Sequence, residues 1–251
     1  MHLPKISFIT FSLMAYQVKA IEPITLHYVD RPPYAITMPH GRPSGLVATP
    51  AEEVFKKAKI PFIWANTPVN RQFNIIKSNT KNQCSLGMEK TESRSAFAKF
   101  TEPVYISQPL MAIMPPEINE KSTITLAEMI SKYSILVKEN YTLGDELTSL
   151  VMKSPKKQMI TSESIQMVRM IAHARADFML ISNDEVEYYI NKGILDPKSI
   201  RVRKIADVNK NFTRRIMCSK AVDDKIIAKL DAVIKTLNVK PAPMKNLETL
   251  H

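Results

Sequence analysis

The sequence is poor in the side chains from which most reaction centres are assembled. It holds two cysteines and one tryptophan in 251 residues. His27, His40, His173 and His251 stand at no metal-ligand spacing to one another or to Cys84 and Cys218, so no metal and no other cofactor is expected. Neither cysteine has a local histidine arrangement that would make it a nucleophile, and no other catalytic constellation can be drawn. The formal charge is +11, yet the lysines are scattered and no basic run exceeds a few residues. The footprint of a nucleic-acid binder is therefore missing. Beyond the N-terminus no stretch is long and apolar enough to cross a membrane.

What is present begins with an export signal. Lys5 supplies a basic start, Ile6 to Tyr16 is an apolar run without charge, and Val18-Lys19-Ala20 puts small residues at the minus-three and minus-one positions. Cleavage after Ala20 and a periplasmic destination follow. Removing Lys5 and Lys19 with the leader lowers the formal charge from +11 to +9, which still favours anionic ligands or surfaces. In an oxidising compartment Cys84 and Cys218 read first as one disulfide, closing a loop of about 130 residues. Metal binding is the weaker alternative, and a cysteine nucleophile weaker again.

The chain then alternates strand and helix signals. Ile24 to Val29 reads as a strand, ended by Asp30-Arg31-Pro32-Pro33-Tyr34, whose prolines forbid further ladder pairing. Thr49-Pro50-Ala51-Glu52 predicts a helix capped by Thr49, with Val54, Phe55 and Ala58 inward. Pro61 to Ala65 is a second strand, Thr67-Pro68 opens a second helix with Arg71 in its first turn, and Gln83 to Met88 is a third strand. Such a run implies parallel strands crossed by helices. After Tyr105 an apolar extended segment leads to Pro115-Pro116 and a second lobe. There the pattern repeats: a Thr125-x-x-Glu128 helix cap, a strand at 134–138, a helix from Thr142 to Asp145 onward, a strand at 157–161, a helix capped by Ser162, and the apolar strand 177–182 followed by a helix over 184–191. Thr213 to Ser219 is a late strand, and 223–238 an amphipathic helix with Leu230 and Ile234 on its apolar face.

Within this frame the stretch from Cys84 to Tyr105 carries the most chemistry. Arg94 follows a Thr-Glu-Ser turn and precedes Phe97, Phe100, Pro103 and Tyr105, which can shield it from water. Its planar, permanently charged fork fits a carboxylate at two points. The plain alternative is a solvated surface arginine.

The residues resemble solute-binding proteins of family 3, the extracellular binding components of polar amino-acid uptake systems. The resemblance rests on Pro33-Tyr34-Ala35, on Trp64 to Pro68 with Arg71, on Thr91-Glu92-Ser93-Arg94 followed by Phe100 to Tyr105, on Ala174 to Phe178, and on Met217 to Lys220. It implies an α/β, two-lobed type II periplasmic-binding-protein fold with two interlobe crossovers. Residues 21–110 would form the first lobe, 111–207 the second, and 208–251 the return to the first. It implies that Arg94 clasps a ligand carboxylate, that Trp64 and Tyr34 wall the cleft, and that Arg71 helps line it. Trp64 read alone is equally an ordinary core tryptophan, and Arg71 a helix-surface residue. Thr142 would sit at a helix start facing the cleft, where free N–H groups favour an anion, and Ser182 and Asn183 would offer polar contacts. A membrane permease is the implied partner and a monomer the implied state.

The sequence departs from this pattern in two places. Ser182-Asn183, with Asp184 next, stand where amino-acid binders usually offer an acid to the ligand ammonium. Met88-Glu89 replace small hydroxyl residues. The solute is accordingly an amino acid or an organic anion. Two other functions compete: a cleft enzyme of the same fold acting on prephenate-like acids, with Glu89 and Asp184 as its acid/base groups, and a signalling or partner-binding module without a small ligand.

Overall fold

The computed structural model describes residues 22–121 and 123–241. The expected leader and its cleavage point after Ala20 lie outside them. The first lobe opens with β1 (Ile24–Tyr28), β2 (Ile36–Thr37), β3 (Pro43–Ser44), α1 (Ala48–Lys57), β4 (Phe62–Asn66), α2 (Val69–Lys77) and β5 (Gln83–Met88). It continues through α3 (Glu92–Ser95), β6 (Ala98–Phe100) and β7 (Tyr105–Ser107). The second lobe carries β8 (Leu110–Met114), α4 (Leu126–Lys132), β9 (Ile135–Lys138), α5 (Asp145–Met152) and β10 (Lys157–Ile160), then α6 (Ser164–Ala172), β11 (Met179–Ser182), α7 (Asn183–Asn191) and β12 (Arg201–Arg203). The chain returns in β13 (Phe212–Ser219) and α8 (Asp224–Thr236). The fold is α/β and two-lobed, with two crossings between the lobes.

The first-lobe sheet has the order β4-β1-β5-β13-β6, with β7 also on β13. β1 runs parallel to β4 and β5, as a strand–helix–strand chain requires. β13 enters antiparallel between β5 and β6. A late strand thus completes the middle of a sheet begun by the first. Cys218 lies opposite Cys84 on these paired strands, and the two form a disulfide buried at 0 % exposure. α8 closes over the same core, with Leu230 and Ile234 against Ile24, Leu26 and Phe55.

In the second lobe β8 lies between β11 and β12, and β9 pairs with β10. A bridge from Ile135 to Phe178 joins the two sets. All five residues of β8 are buried. Leu110, Ala112 and Met114 point into one core with Leu126, Met129 and Phe178; Met111 and Ile113 point into another with Val168 and Ile171. Helices cover both faces, which is why the segment reads as an unbroken apolar run instead of an alternation.

Three helix starts differ from the sequence expectation. α1 begins at Ala48, so Thr49 is not its cap and Pro50 is not its first residue. Backbone does the capping: Val47 and Ala48 N–H both donate to the Tyr34 carbonyl at 3.0 Å. α2 begins after Pro68, and the hydroxyl of Thr67 instead lies 2.8 Å from His27 Nδ1. α6 begins at Ser164 with a capping box made by Glu163 and Gln166, not by Ser162. In the second case a tertiary partner took the hydroxyl that local propensity would have assigned; in the first, the Thr49 hydroxyl accepts from Gly45 N–H at 3.1 Å. Thr125 and Glu128 form the expected reciprocal cap of α4.

The disulfide spans 134 residues of sequence. Replacing both halves, Cys84→Ala/Cys218→Ala, is expected to lower unfolding stability by about 3–5 kcal/mol. Urea unfolding would show this as a lower midpoint; an unchanged midpoint would mean the cross-link constrains nothing that the sheet does not already hold.

Candidate functional site

Two small cavities lie where the lobes meet. The first, about 70 Å³, is lined by Tyr34, Phe73, Glu89 and Arg94 from the first lobe and by Tyr141 and Thr142 from the second. The second, also about 70 Å³, shares Arg31, Tyr141, Thr142 and Arg214 with the first; the rest of its wall is mostly apolar but includes Lys138, Ser164, Ser182 and Glu185. The lobes are drawn together around them. Asn140 Nδ2 donates to Asn70 Oδ1 at 2.7 Å. Asp145, at the start of α5, accepts from Glu92 N–H at 2.9 Å and from the Ser93 hydroxyl at 3.3 Å.

Arg94 stands on α3, whose start is fixed by the Thr91 hydroxyl accepting from Arg94 N–H at 3.2 Å. Its guanidinium lies over the Phe73 ring, 4.9 Å from the centroid. Nη1 donates to the Glu89 carbonyl at 3.0 Å and Nη2 reaches the Asn140 carbonyl of the other lobe at 3.4 Å. Among the described residues no carboxylate comes within ion-pair distance of it. Burial, opposed by Glu89 and reinforced by the charge of Arg214, lowers its pKa to about 10. It remains a cation at neutral pH.

Arg31, just past β1, is already satisfied. Its Nε and Nη2 donate to the two oxygens of Glu185 at 3.0 and 2.7 Å, a bidentate pair across the gap. The Glu185 side chain is 0 % exposed. Burial opposes the charge of Arg31, but Glu185 together with Tyr141 and Tyr34 outweighs it and raises the pKa above the ordinary arginine value. Tyr141 stacks on the same guanidinium at 4.6 Å.

Tyr34 is placed by an unusual approach of backbone. Gly45 has φ +132°, and a Cβ there would fall 2.5 Å from the Pro33 carbonyl oxygen, so only glycine lets 45–48 close over Pro33 and Tyr34. The Tyr34 ring carries Arg214 on one contact at 4.5 Å, and its hydroxyl donates to Asp184 Oδ2 at 3.4 Å. Asp184 also accepts from the Ser182 hydroxyl at 3.2 Å. Burial raises the pKa of Asp184, and likewise that of Glu89, which accepts from the Thr213 hydroxyl at 3.2 Å.

Of the residues singled out in the sequence, Arg94, Tyr34 and Thr142 meet on the first cavity and Ser182 lines the second. Asn183 is buried at the first position of α7 and lines neither. Trp64 lies elsewhere. Its register opposite Leu26 turns it to the first-lobe core, where it meets Tyr28 and Phe62 edge-on. Arg71 is exposed on α2, because the buried face of that helix takes Gln72, Phe73 and Ile76. Sequence reasoning passed over Arg31, Glu185, Tyr141 and Arg214. Only Arg214 left a usable signal: Phe212, Arg214 and Ile216 share the buried alternation of β13, an arginine in a file of apolar residues.

No protein-family model matches the chain, and no curated protein matches its sequence. Solved structures share its fold. The chain is similar to an ancestral arginine-binding protein bound to arginine, with a TM-score of 0.70 and 13 % identity over 87 % of this chain and 93 % of that one. It is similar to the arginine-, lysine-, histidine-binding protein ArtJ from Geobacillus stearothermophilus, with a TM-score of 0.68 and 16 % identity over 86 % and 89 %. It is also similar to a histidine kinase sensor domain described as resembling periplasmic binding proteins, with a TM-score of 0.69 and 14 % identity over 86 % and 90 %. The fold is thus that of the two-lobed periplasmic binding proteins.

Two measurements probe this geometry. Glu185→Gln breaks a charge pair that spans the lobes; losing one partner of a buried pair costs about 3–5 kcal/mol if the other stays buried. Opening the gap hydrates Arg31 and avoids that cost, so small-angle scattering of this variant should show a larger radius of gyration, whereas an unchanged radius would mean the pair does not hold the lobes. For Glu89 the raised native pKa favours the protonated form in the folded state. Its stabilising effect is complete below the unfolded value of about 4.3 and is lost as pH rises through the native one. Glu89→Gln should therefore be more stable than the parent at about pH 7, with the difference closing towards about pH 4. Urea midpoints across that range check it, and a gap independent of pH would contradict it.

Proposed function

We propose that this chain is a periplasmic solute-binding protein of the family 3 type. It closes two lobes on a small carboxylate-bearing solute and delivers it, as a monomer, to a membrane transporter. Residues 21–110 and 208–251 form one lobe in this reading and 111–207 the other. Arg94 carries it: a guanidinium held flat on Phe73, bonded to backbone of both lobes, facing a cavity, with no carboxylate of the described residues on it. A ligand carboxylate would complete its pairing in a site where little water competes. Tyr34 and Tyr141 supply walls, and the bonds that hold the lobes together are the kind a closing clamp makes.

The named neighbours bind arginine or other basic amino acids. Here three guanidinium groups line the first cavity, so a basic side chain would meet like charge. The better guests are amino acids without a second positive group and organic anions. A second reading is a sensory module, since the same architecture serves a histidine kinase as its sensor domain; the ligand chemistry of the gap would be the same.

Thermal-shift screening of small carboxylates, followed by calorimetry on Arg94→Ala, tests the proposal. Loss of a charge-assisted pair is expected to weaken binding by about ten- to a hundred-fold. Unchanged affinity would remove Arg94 from the site. Chemical conversion of a bound acid would instead move the reading to an enzyme working through Glu89 or Asp184.

A further inference from the structure

Arg214 lies on β13 at the crossing between the lobes, paired with Tyr105 of β7. It is 8 % exposed and lines both cavities. Its Nε is buried without a hydrogen-bond partner, and among the described residues no carboxylate lies within ion-pair distance of the guanidinium. Glu89 and Asp184 act on its charge from beyond ion-pair distance, and each accepts hydroxyl bonds: Glu89 from Thr213, Asp184 from Tyr34 and Ser182. Among the described residues its ring contact is the face of Tyr34 at 4.5 Å, which fixes the plane of the fork and consumes none of its N–H groups. Arg94 is held in the same manner on Phe73. Two planar cations, each backed by an aromatic ring, therefore face one gap, and each lacks an ionic partner.

A buried charge without a direct ion-pair partner is costly, and the fork of an arginine matches a carboxylate at two points. We propose that the solute is a short dicarboxylate, with one carboxylate on Arg94 and the other on Arg214. The inference rests on the solute-binding reading and names the chemical class of its ligand. Arg31 is excluded as the second anchor because Glu185 already occupies it at two points. Size agrees with the assignment. Each cavity is about 70 Å³, and at roughly 10–15 Å³ per water-sized occupant each holds only a handful of non-hydrogen atoms. Together they have room for a chain of about four or five carbons bearing two carboxylates.

Succinate against butyrate and glutarate against pentanoate are pairs of equal carbon number that differ by one carboxylate. Calorimetry on the parent protein should show each diacid binding at least about ten-fold tighter than its monoacid. Arg214→Gln should remove most of the diacid advantage, weakening the diacids far more than the monoacids, which lean on Arg94. If that variant does not fold, Arg214→Lys keeps the charge but not the fork and should narrow the gap within each pair several-fold. Equal affinity for both members of a pair in the parent, or an Arg214 variant that changes both acids alike or neither, overturns the dicarboxylate assignment while the solute-binding reading stands. Failure of all four acids to bind overturns the dicarboxylate assignment, and the solute-binding reading falls only if the thermal-shift screen with amino acids fails as well.

Discussion

A bidentate ion pair between Arg31 and Glu185 sets the terms on which the two lobes meet. One member stands at the end of the first strand and the other, fully buried, in the first turn of α7. Its geometry demands that the lobes be close, since a carboxylate with both oxygens bound cannot drift from its fork. It also neutralises one of three guanidinium groups around the gap. The charge left over sits on Arg94 and Arg214, and it gives the cavities their chemical preference.

Those two arginines are tolerable because aromatic faces hold both, and Arg94 in addition donates to two backbone carbonyls. Phe73 and Tyr34 present ring faces that favour a cation and restrict its plane. The rings are themselves fixed from below: Phe73 by the core on that side of the sheet, Tyr34 by the glycine-dependent approach of 45–48. Rigid support of this kind reduces the ordering that a ligand must impose on arrival. The carboxyl groups of Glu89 and Asp184, raised in pKa by burial, temper the positive field without pairing directly with either cation.

The architecture was largely legible from pattern. Strand-helix alternation placed β1, β4 and β5 and made them parallel; an unbroken apolar run marked β8 as covered on both faces; an apolar face marked α8. Thr49 and Thr67 are good local caps, but α1 starts earlier, where the Tyr34 carbonyl receives Val47 and Ala48 N–H, and the Thr67 hydroxyl lies against His27. The gap was less legible. Arg94 announced itself through its turn and the aromatic residues after it. Trp64 looked like a wall and proved to be packing, because one residue of register decides which side of a sheet a side chain faces. Arg214 looked like one basic residue among many until β13 put it between Phe212 and Ile216.

The sequence by itself determined which segments form strands and helices and which of their faces bury: those preferences are local, periodic and carried by the apolar side chains within each segment. It also determined that two cysteines, distant along the chain, were available to each other. Which charged groups face one another was decided only in the tertiary structure. Arg31 and Glu185, Phe73 and Arg94, Tyr34 and Arg214 come from segments up to 180 residues apart. The field between two charges depends on their separation in space and on the water excluded from between them, and neither is written in the order of residues.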